Sequence, residues 1–179
     1  MVKLKKPMHH IRRGVARVRG IGFILFHARH EFYHALLGVV WVFILREIWG
    51  EFQMKWIYLS IFFSLLPDME HMLYFFSYGK ADPYTRQIKQ YMKNGHWRMV
   101  TVYIENGHKH QTDLSYHNFY VIAFLLVATS LAFFFDKQSW TVVFGAMVIH
   151  YLFDVVDDFM MLGKLNPNWK RWGNGKKNR

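Results

Sequence analysis

The chain contains no cysteine. This absence excludes disulfide bonds, thiolate metal ligands and a cysteine nucleophile, so any bound metal must be held by histidine and carboxylate side chains. Internal repeats and low-complexity tracts are also absent. No small-residue cleavage site follows the first apolar run, which argues against a cleavable signal peptide. We therefore expect the first apolar segment to remain as a membrane anchor.

Acidic residues are scarce relative to basic ones, with 12 against 23 and a formal net charge of +11. Hydrophobic residues make up 53% and aromatic residues 19% of the 179 positions, which is rich for a soluble protein of this length. The apolar residues fall in four blocks, and the polar residues fall at the two ends and in one central loop. This segregation predicts an all-α integral membrane protein, a four-helix bundle.

Three parts are predicted along the chain. Residues 1–31 form a basic, amphipathic arm that lies on an anionic leaflet. Residues 32–162 form the transmembrane domain, and residues 163–179 form a basic tail with little apolar material for a core. The predicted membrane helices are Phe32–Trp49, Trp56–Phe76, Asn118–Phe135 and Trp140–Leu162. Between the second and third helices lies a long loop, 77–117, in which we expect an interfacial helix broken near Asn94 and Gly95.

The distribution of basic residues predicts the orientation. Of the 23 lysines and arginines, 20 lie in the arm, the long loop and the tail. Four spans place these three segments on one side of the membrane, and the positive-inside rule makes that side cytoplasmic. Both termini are therefore expected in the cytoplasm, at the inner membrane. The same asymmetry accounts for most of the charge without nucleic acid as a partner.

The second apolar block contains the sequence Pro-Asp-Met-Glu-His, from Pro67 to His71. Each charged group in a membrane helix costs roughly 2.5–3.5 kcal/mol on insertion scales, so such groups usually mark a binding site. Pro67 cannot donate a backbone N–H, so we expect the helix to be kinked or unwound there. Irregular backbone at that depth is tolerated where it faces a polar cavity.

The predicted topology brings other polar residues to the same cytoplasmic layer. Asp68 and His71 are three positions apart, and His150 and Asp154 are four apart, so each pair shares one helix face. Together they predict a site with one or two divalent ions, Zn²⁺ or Mn²⁺. The expected metal ligands are His34, Asp68, His71, His117, His150 and Asp154. Glu70 or Asp158 is the expected general base.

Other histidines are expected to have no such role. His30 and His27 lie among charged residues and are predicted at the surface. The remaining five fall in the loop or the arm: His96, His108, His110, His9 and His10. Two alternatives stay open for the polar residues: a hydrogen-bonded network that fixes helix packing, and, less well supported, a di-iron oxygenase suggested by the spacing of His30 and His34.

The ordered set of motifs resembles the YdjM-like membrane-bound metal-dependent hydrolases, also described as LexA-binding, inner-membrane-associated hydrolases. The resemblance covers roughly residues 30–160 and rests on the following positions: His34 with Gly38, Pro67-Asp68-x-Glu70-His71, His117, and His150 with Asp154. Glu70 stands where the family usually has aspartate, and the Arg-Gly that usually precedes the central histidine is missing before His117. A broader likeness links the chain to zinc-dependent phospholipase C proteins.

The resemblance implies a membrane-embedded hydrolase. We expect it to act on a phospholipid or another phosphorylated lipid at the cytoplasmic leaflet, with metal-activated water as the nucleophile. Anionic phospholipid is the expected partner, and a second copy of the chain is a further candidate. The alternative is a non-catalytic membrane protein in which a structural metal or a polar network supports recruitment of a cytoplasmic partner.

Overall fold

The computed structural model describes residues 20–107 and 114–171. Within these ranges the chain is helical with no strand, which confirms the predicted all-α class. Residues 1–19 of the predicted basic arm lie outside the described residues. The α-helices are α1 Gly20–Trp49, α2 Met54–Leu65, α3 Met69–Phe76, α4 Pro83–Lys93, α5 Trp97–Gly107, α6 Phe119–Phe134 and α7 Gln138–Leu162. Two 3-10 turns occur at Leu66–Asp68 and Pro167–Lys170.

Helix α1 begins earlier than predicted. We expected a boundary between the arm and the first membrane helix at Phe32, but one helix runs without interruption from Gly20 to Trp49. No proline occurs in this stretch, so nothing in it removes a backbone donor. As a result His30 lies one turn before His34 on the same helix.

The predicted second membrane helix is divided in two. Helix α2 ends at Leu65, a 3-10 turn covers Leu66–Asp68, and α3 starts at Met69. Pro67 is buried at the centre of this turn. The predicted opening of the helix at Pro67 is therefore confirmed, and the carboxylates of Asp68 and Glu70 follow directly after it.

The long loop folds into α4 and α5. Asp82 caps α4 by accepting a hydrogen bond from the Tyr84 amide, and Pro83 occupies the first turn. Between the two helices Gly95 adopts a φ of +69°, a conformation that suits glycine. The predicted break near Asn94 and Gly95 is confirmed. Residues 108–113 lie outside the described part of the chain.

Helix α7 is central to the packing, because it contacts α1, α2 and α6. Helices α1 and α2 cross closely at Gly38, where an added Cβ would lie 3.0 Å from the Oγ atoms of both Ser60 and Ser64. The Ser60 hydroxyl donates a 2.6 Å hydrogen bond to the Gly38 carbonyl. Gly38 lies one turn after His34 on α1, so this close crossing holds the part of α1 that carries His34 against α2.

The chain after α7 contributes to the hydrophobic core, contrary to the expectation from the sequence. We expected residues 163–179 to contribute little to a core, but Trp169 is 2% exposed and packs with Tyr151, Ile122 and Leu125. Gly163 ends α7 with a φ of +65°, which turns the chain back toward the bundle. Trp169 supplies apolar area to the core, which the mainly polar and basic composition of the tail does not reveal.

Two helices are long and apolar enough to cross a membrane: Ala28–Trp49 within α1 and Gln138–Met161 within α7. Helix α6 is apolar but shorter, with 16 residues. Its outward side chains include Phe124, Val127 and Phe134, which are 59–80% exposed. The other two predicted spans contain shorter helices, with 12 residues in α2, 8 in α3 and 16 in α6.

Candidate metal centre

Four elements bring histidine and aspartate side chains to one place. Helix α1 contributes His30 and His34, the 3-10 turn contributes Asp68, and the segment before α6 contributes His117. Helix α7 contributes His150 and Asp154, four residues apart on one face. Two groups have potential ligand atoms within 4.8 Å of one another: Asp68, His117, His150 and Asp154, and also His30, His34 and Asp68.

Asp154 lies between two pairs of histidines. Its Oδ1 is 3.3 Å from His34 Nε2 and 3.5 Å from His30 Nε2. Its Oδ2 is 3.1 Å from His150 Nε2 and 3.6 Å from His117 Nε2. The Asp154 side chain is 9% exposed. One buried carboxylate therefore faces four imidazole nitrogens.

Asp68 approaches the same histidines from the 3-10 turn. Its Oδ2 is 4.0 Å from His34 Nε2, and its Oδ1 is 3.9 Å from His150 Nε2. Its side chain is 17% exposed, more than that of Asp154. Because Pro67 opens the helix just before it, Asp68 can turn toward the cluster instead of continuing the face of α2.

His150 is oriented by the end of α2. Its Nδ1 lies 2.6 Å from the carbonyl oxygen of Ser64, so Nδ1 carries the proton and donates it. Ser64 is in the last turn of α2, where carbonyls lack a full set of intrahelical partners. With Nδ1 protonated, the lone pair of neutral His150 is at Nε2, which faces the aspartates.

Glu70 orients His117 in the same way. The Nδ1 of His117 donates a 2.7 Å hydrogen bond to Glu70 Oε2, and its Nε2, the lone-pair nitrogen when the ring is neutral, faces Asp154. Glu70 is 3% exposed and also accepts hydrogen bonds from the amides of Ser115 and Tyr116. Metal-binding histidines commonly have this kind of carboxylate or carbonyl partner on the other nitrogen.

The Tyr78 hydroxyl completes the surroundings of Glu70, donating a 2.5 Å hydrogen bond to Oε1. Burial, followed by the hydrogen bond to Glu70, raises the pKa of Tyr78 above its ordinary value. The phenol therefore stays protonated and continues to donate. Glu70 is held by groups that all donate to it, an arrangement that suits a residue that positions His117.

Asp158, the other expected general base, is also engaged elsewhere. It is 6% exposed, and its Oδ2 accepts a 2.7 Å hydrogen bond from the indole Nε1–H of Trp169. The neighbouring Asn168 donates a 2.6 Å hydrogen bond to the carbonyl oxygen of His117. The second 3-10 turn thus connects α7 to the segment that carries His117, a connection that no sequence pattern indicated.

The cluster fits a cation. The Nε2 atoms of His117 and His150 are buried, and within the described ranges the acceptor that they face is the Asp154 carboxylate. Each carries a lone pair, and each faces Asp154 Oδ2, which is also an acceptor. Facing lone pairs at 3.1 Å repel, so either a proton or a metal ion belongs between them. Imidazole nitrogens with carboxylate oxygens are ligands that suit Zn²⁺ and other divalent transition ions.

Five of the six expected ligands lie in the two groups: His34, Asp68, His117, His150 and Asp154. His71 lies at the margin, with Nε2 3.9 Å from Asp68 Oδ1 and a side chain that is 29% exposed. His30 was predicted at the surface, but its Nε2 is 3.0 Å from that of His34. The signal was its spacing of four residues from His34, which places both on one face of α1.

The other histidines do not contribute to the cluster among the described residues. His96 is exposed in the link between α4 and α5. The side chain of His27 and residues His9, His10, His108 and His110 lie outside the described residues. Comparison of the chain with protein-family models, curated proteins and solved structures gave no match.

Proposed function

We propose that the protein is an integral membrane, metal-dependent hydrolase that acts on a phospholipid or another phosphorylated lipid at the cytoplasmic leaflet. The observation that carries the proposal is the pair of buried imidazoles, His117 and His150, whose Nε2 lone pairs converge on Asp154. Zn²⁺ and Mn²⁺ are the proposed metals, because imidazole and carboxylate ligands suit both. The proposed ligands come from the two groups described above.

The site has an accessible edge, which supports catalysis over a purely structural metal. His34 and His150 are fully buried, but the side chains of His30, Asp68 and His71 are 17–29% exposed. Structural zinc sites are closed by protein ligands, whereas catalytic sites keep a position for water or substrate. His71 stands at the open edge and is proposed to contact the substrate or to complete the ligand set.

The chemistry follows from the donors. A divalent ion held there supplies a Lewis acid that acidifies water and neutralises charge developing on a phosphoryl or acyl oxygen. Glu70 and the Ser64 carbonyl keep the His117 and His150 rings in the tautomer that presents Nε2. Glu70 and Asp158, which both accept hydrogen bonds from neighbouring groups, stay the proposed candidates to receive a proton from water.

The membrane setting is proposed from the apolar surface and the charge asymmetry. We propose four passages formed by α1, by α2 with α3, by α6 and by α7, with both termini cytoplasmic. Large apolar side chains that face outward on these helices suit contact with lipid: Phe32, Phe62, Phe76, Phe124 and Met160 are each 61–77% exposed. Exposed basic residues of α4 and α5, including Arg86 and Lys93, would attract anionic phospholipid.

The order of motifs supports membership of the YdjM-like hydrolases, proposed here on residues 30–160. The residues that carry the resemblance largely coincide with the cluster, and Gly38 lies at the close crossing of α1 and α2. The longer Glu70 in place of aspartate reaches His117 Nδ1, so in this chain the position supports a ligand.

Metal analysis combined with lipid turnover tests the proposal. The protein is purified in detergent without chelator, supplied with Zn²⁺ or Mn²⁺, and assayed for bound metal and for release of phosphate or fatty acid from a lipid panel. We expect stoichiometric metal and turnover in the native chain, and loss of both in Asp154→Asn and Asp68→Ala. The matched control is Asp136→Asn, an exposed aspartate in the turn before α7.

Two results would contradict the proposal in different ways. Absence of bound metal from the native chain would remove the metal-dependent mechanism. Stoichiometric metal without turnover across the panel would instead favour the non-catalytic alternative, in which a structural metal stabilises a membrane protein that recruits a partner.

A further inference from the structure

The carboxylate of Asp154 has a different pair of histidines on each side. Oδ1 faces His30 and His34 of α1 at 3.5 and 3.3 Å, whereas Oδ2 faces His117 and His150 at 3.6 and 3.1 Å. The two oxygens of one carboxylate are thus divided between two sets of nitrogen ligands. A carboxylate in this position can bridge two ions.

Asp68 repeats the arrangement from the other side of the cluster. Its Oδ2 lies nearer His34, at 4.0 Å, and its Oδ1 lies 3.9 Å from His150. Asp68 is also the residue common to the two groups of potential ligand atoms. Asp154 and Asp68 therefore each have one carboxylate oxygen toward α1 and the other toward His150.

The number of donors exceeds what one zinc ion usually accepts. Four imidazoles and two carboxylates converge, but zinc is almost always bound by four protein ligands in closed sites and by three in catalytic sites. A single ion between His117 and His150 would leave His30 and His34 as a hydrogen-bonded pair, with their Nε2 atoms 3.0 Å apart. The geometry is therefore compatible with one ion beside a hydrogen-bonded His30–His34 pair, or with two ions.

We propose that the site holds two divalent ions, bridged by Asp154 and Asp68, one bound by His117 and His150 and the other by His30 and His34. This inference rests on the proposed metal-dependent function. It also narrows the substrate class to phosphoesters, because paired ions suit an in-line displacement at phosphorus by stabilising both the attacking and the leaving oxygen.

The proposed reaction is the hydrolysis of a phosphoester. The oxygen of water forms a bond to phosphorus while the bond from phosphorus to the alcohol oxygen breaks, and that oxygen keeps the electron pair. One proton of the attacking water is transferred to the departing alcohol oxygen, so that the products are the phosphate and the free alcohol. No oxidant, reductant or further co-reactant takes part.

Manganese loading with electron paramagnetic resonance tests the number of ions. The detergent-purified chain is titrated with Mn²⁺, and bound metal is counted by elemental analysis. We expect two ions per chain and a spectrum of an exchange-coupled pair, since bridged ions lie close together. His30→Ala is expected to retain one ion with the hyperfine pattern of isolated Mn²⁺. His96→Ala, which alters an exposed histidine outside the cluster, is the control and should keep the coupled spectrum.

The outcomes separate the two proposals. One isolated ion in the native chain, with phosphoester turnover, overturns the two-ion inference and leaves the proposed function intact. No ion overturns both. Two ions without magnetic coupling overturn the bridging role of Asp154. The measurement on the native chain is decisive by itself, so the inference stays testable even if His30→Ala fails to fold.

Discussion

At the scale of single residues, the cluster depends on groups that orient ligands as much as on the ligands themselves. His150 is set by a backbone carbonyl and His117 by Glu70, so each ring presents a defined nitrogen to Asp154. A free imidazole in either tautomer would present its lone pair in this direction only part of the time. The two supports therefore prepare the site before any ion arrives.

Glu70→Gln should weaken metal binding by about 10- to 100-fold, the range found when such supporting groups are removed. The amide keeps the shape of the side chain, but it loses the charge and turns one acceptor into a donor facing groups that already donate. Competition with a chromophoric chelator measures the affinity.

Tyr78→Phe is the matched control, because it removes only one hydrogen bond to Glu70 and leaves its contact with His117. We expect a smaller loss of affinity in this variant. Equal affinity in Glu70→Gln and the native chain would contradict the positioning role.

Several ligands could be predicted from the sequence because the spacing rules for one helix are local. The pair His150 and Asp154 lies on one face of α7, as four-residue spacing requires. His30 is also four residues from His34 and shares its helix face. It was nevertheless predicted at the surface, because its neighbours in the sequence are charged. The role of Glu70 could not be derived, because it depends on a contact with His117 that is distant in the chain.

At the scale of elements, two short 3-10 turns control the geometry of the cluster. The first, Leu66–Asp68, ends α2 at Pro67 and directs Asp68 inward. The second, Pro167–Lys170, brings Trp169 against Asp158 and Asn168 against the backbone of His117. The first was predictable from a proline among apolar residues; the second was not, since a basic tail gave no periodic apolar pattern.

Trp169→Phe should lower the free energy of unfolding by about 1.5–3 kcal/mol, the range for hydrogen bonds to charged groups. The substitution removes the indole N–H that donates a hydrogen bond to Asp158. It also removes part of the ring that packs in the core. Denaturant unfolding in detergent gives the value.

Trp140→Phe makes the same chemical change at a side chain that is 57% exposed on α7. It should cost much less. A comparable loss in both variants would mean that the tail turn does not stabilise the bundle.

At the scale of the whole molecule, the ends of the helices can be compared with the charge distribution. Gln138, at the start of α7, donates a 3.2 Å hydrogen bond to Glu51 in the link between α1 and α2. The two short connections therefore lie at the same end, as the sequence predicted for four alternating passages. The proposal that this end faces away from the cytoplasm rests on the charge distribution.

Cysteine labelling tests the orientation cleanly, because the chain has no cysteine of its own. Lys55→Cys and Lys137→Cys should react with a membrane-impermeant maleimide added outside intact cells, whereas Lys93→Cys should react only in inverted vesicles. All three positions are exposed. Labelling of Lys93→Cys from outside would reverse the proposed topology.

The distribution of the cluster along the chain has a consequence for folding kinetics. His30 and Asp154 come from the first and the last long helices, so their approach closes a very long loop and must follow the packing of α7 on α1. Contacts of such high sequence separation form late. An ion would therefore bind only after α1 and α7 have packed together. Because it would then hold these two helices together, it would slow unfolding more than it speeds folding.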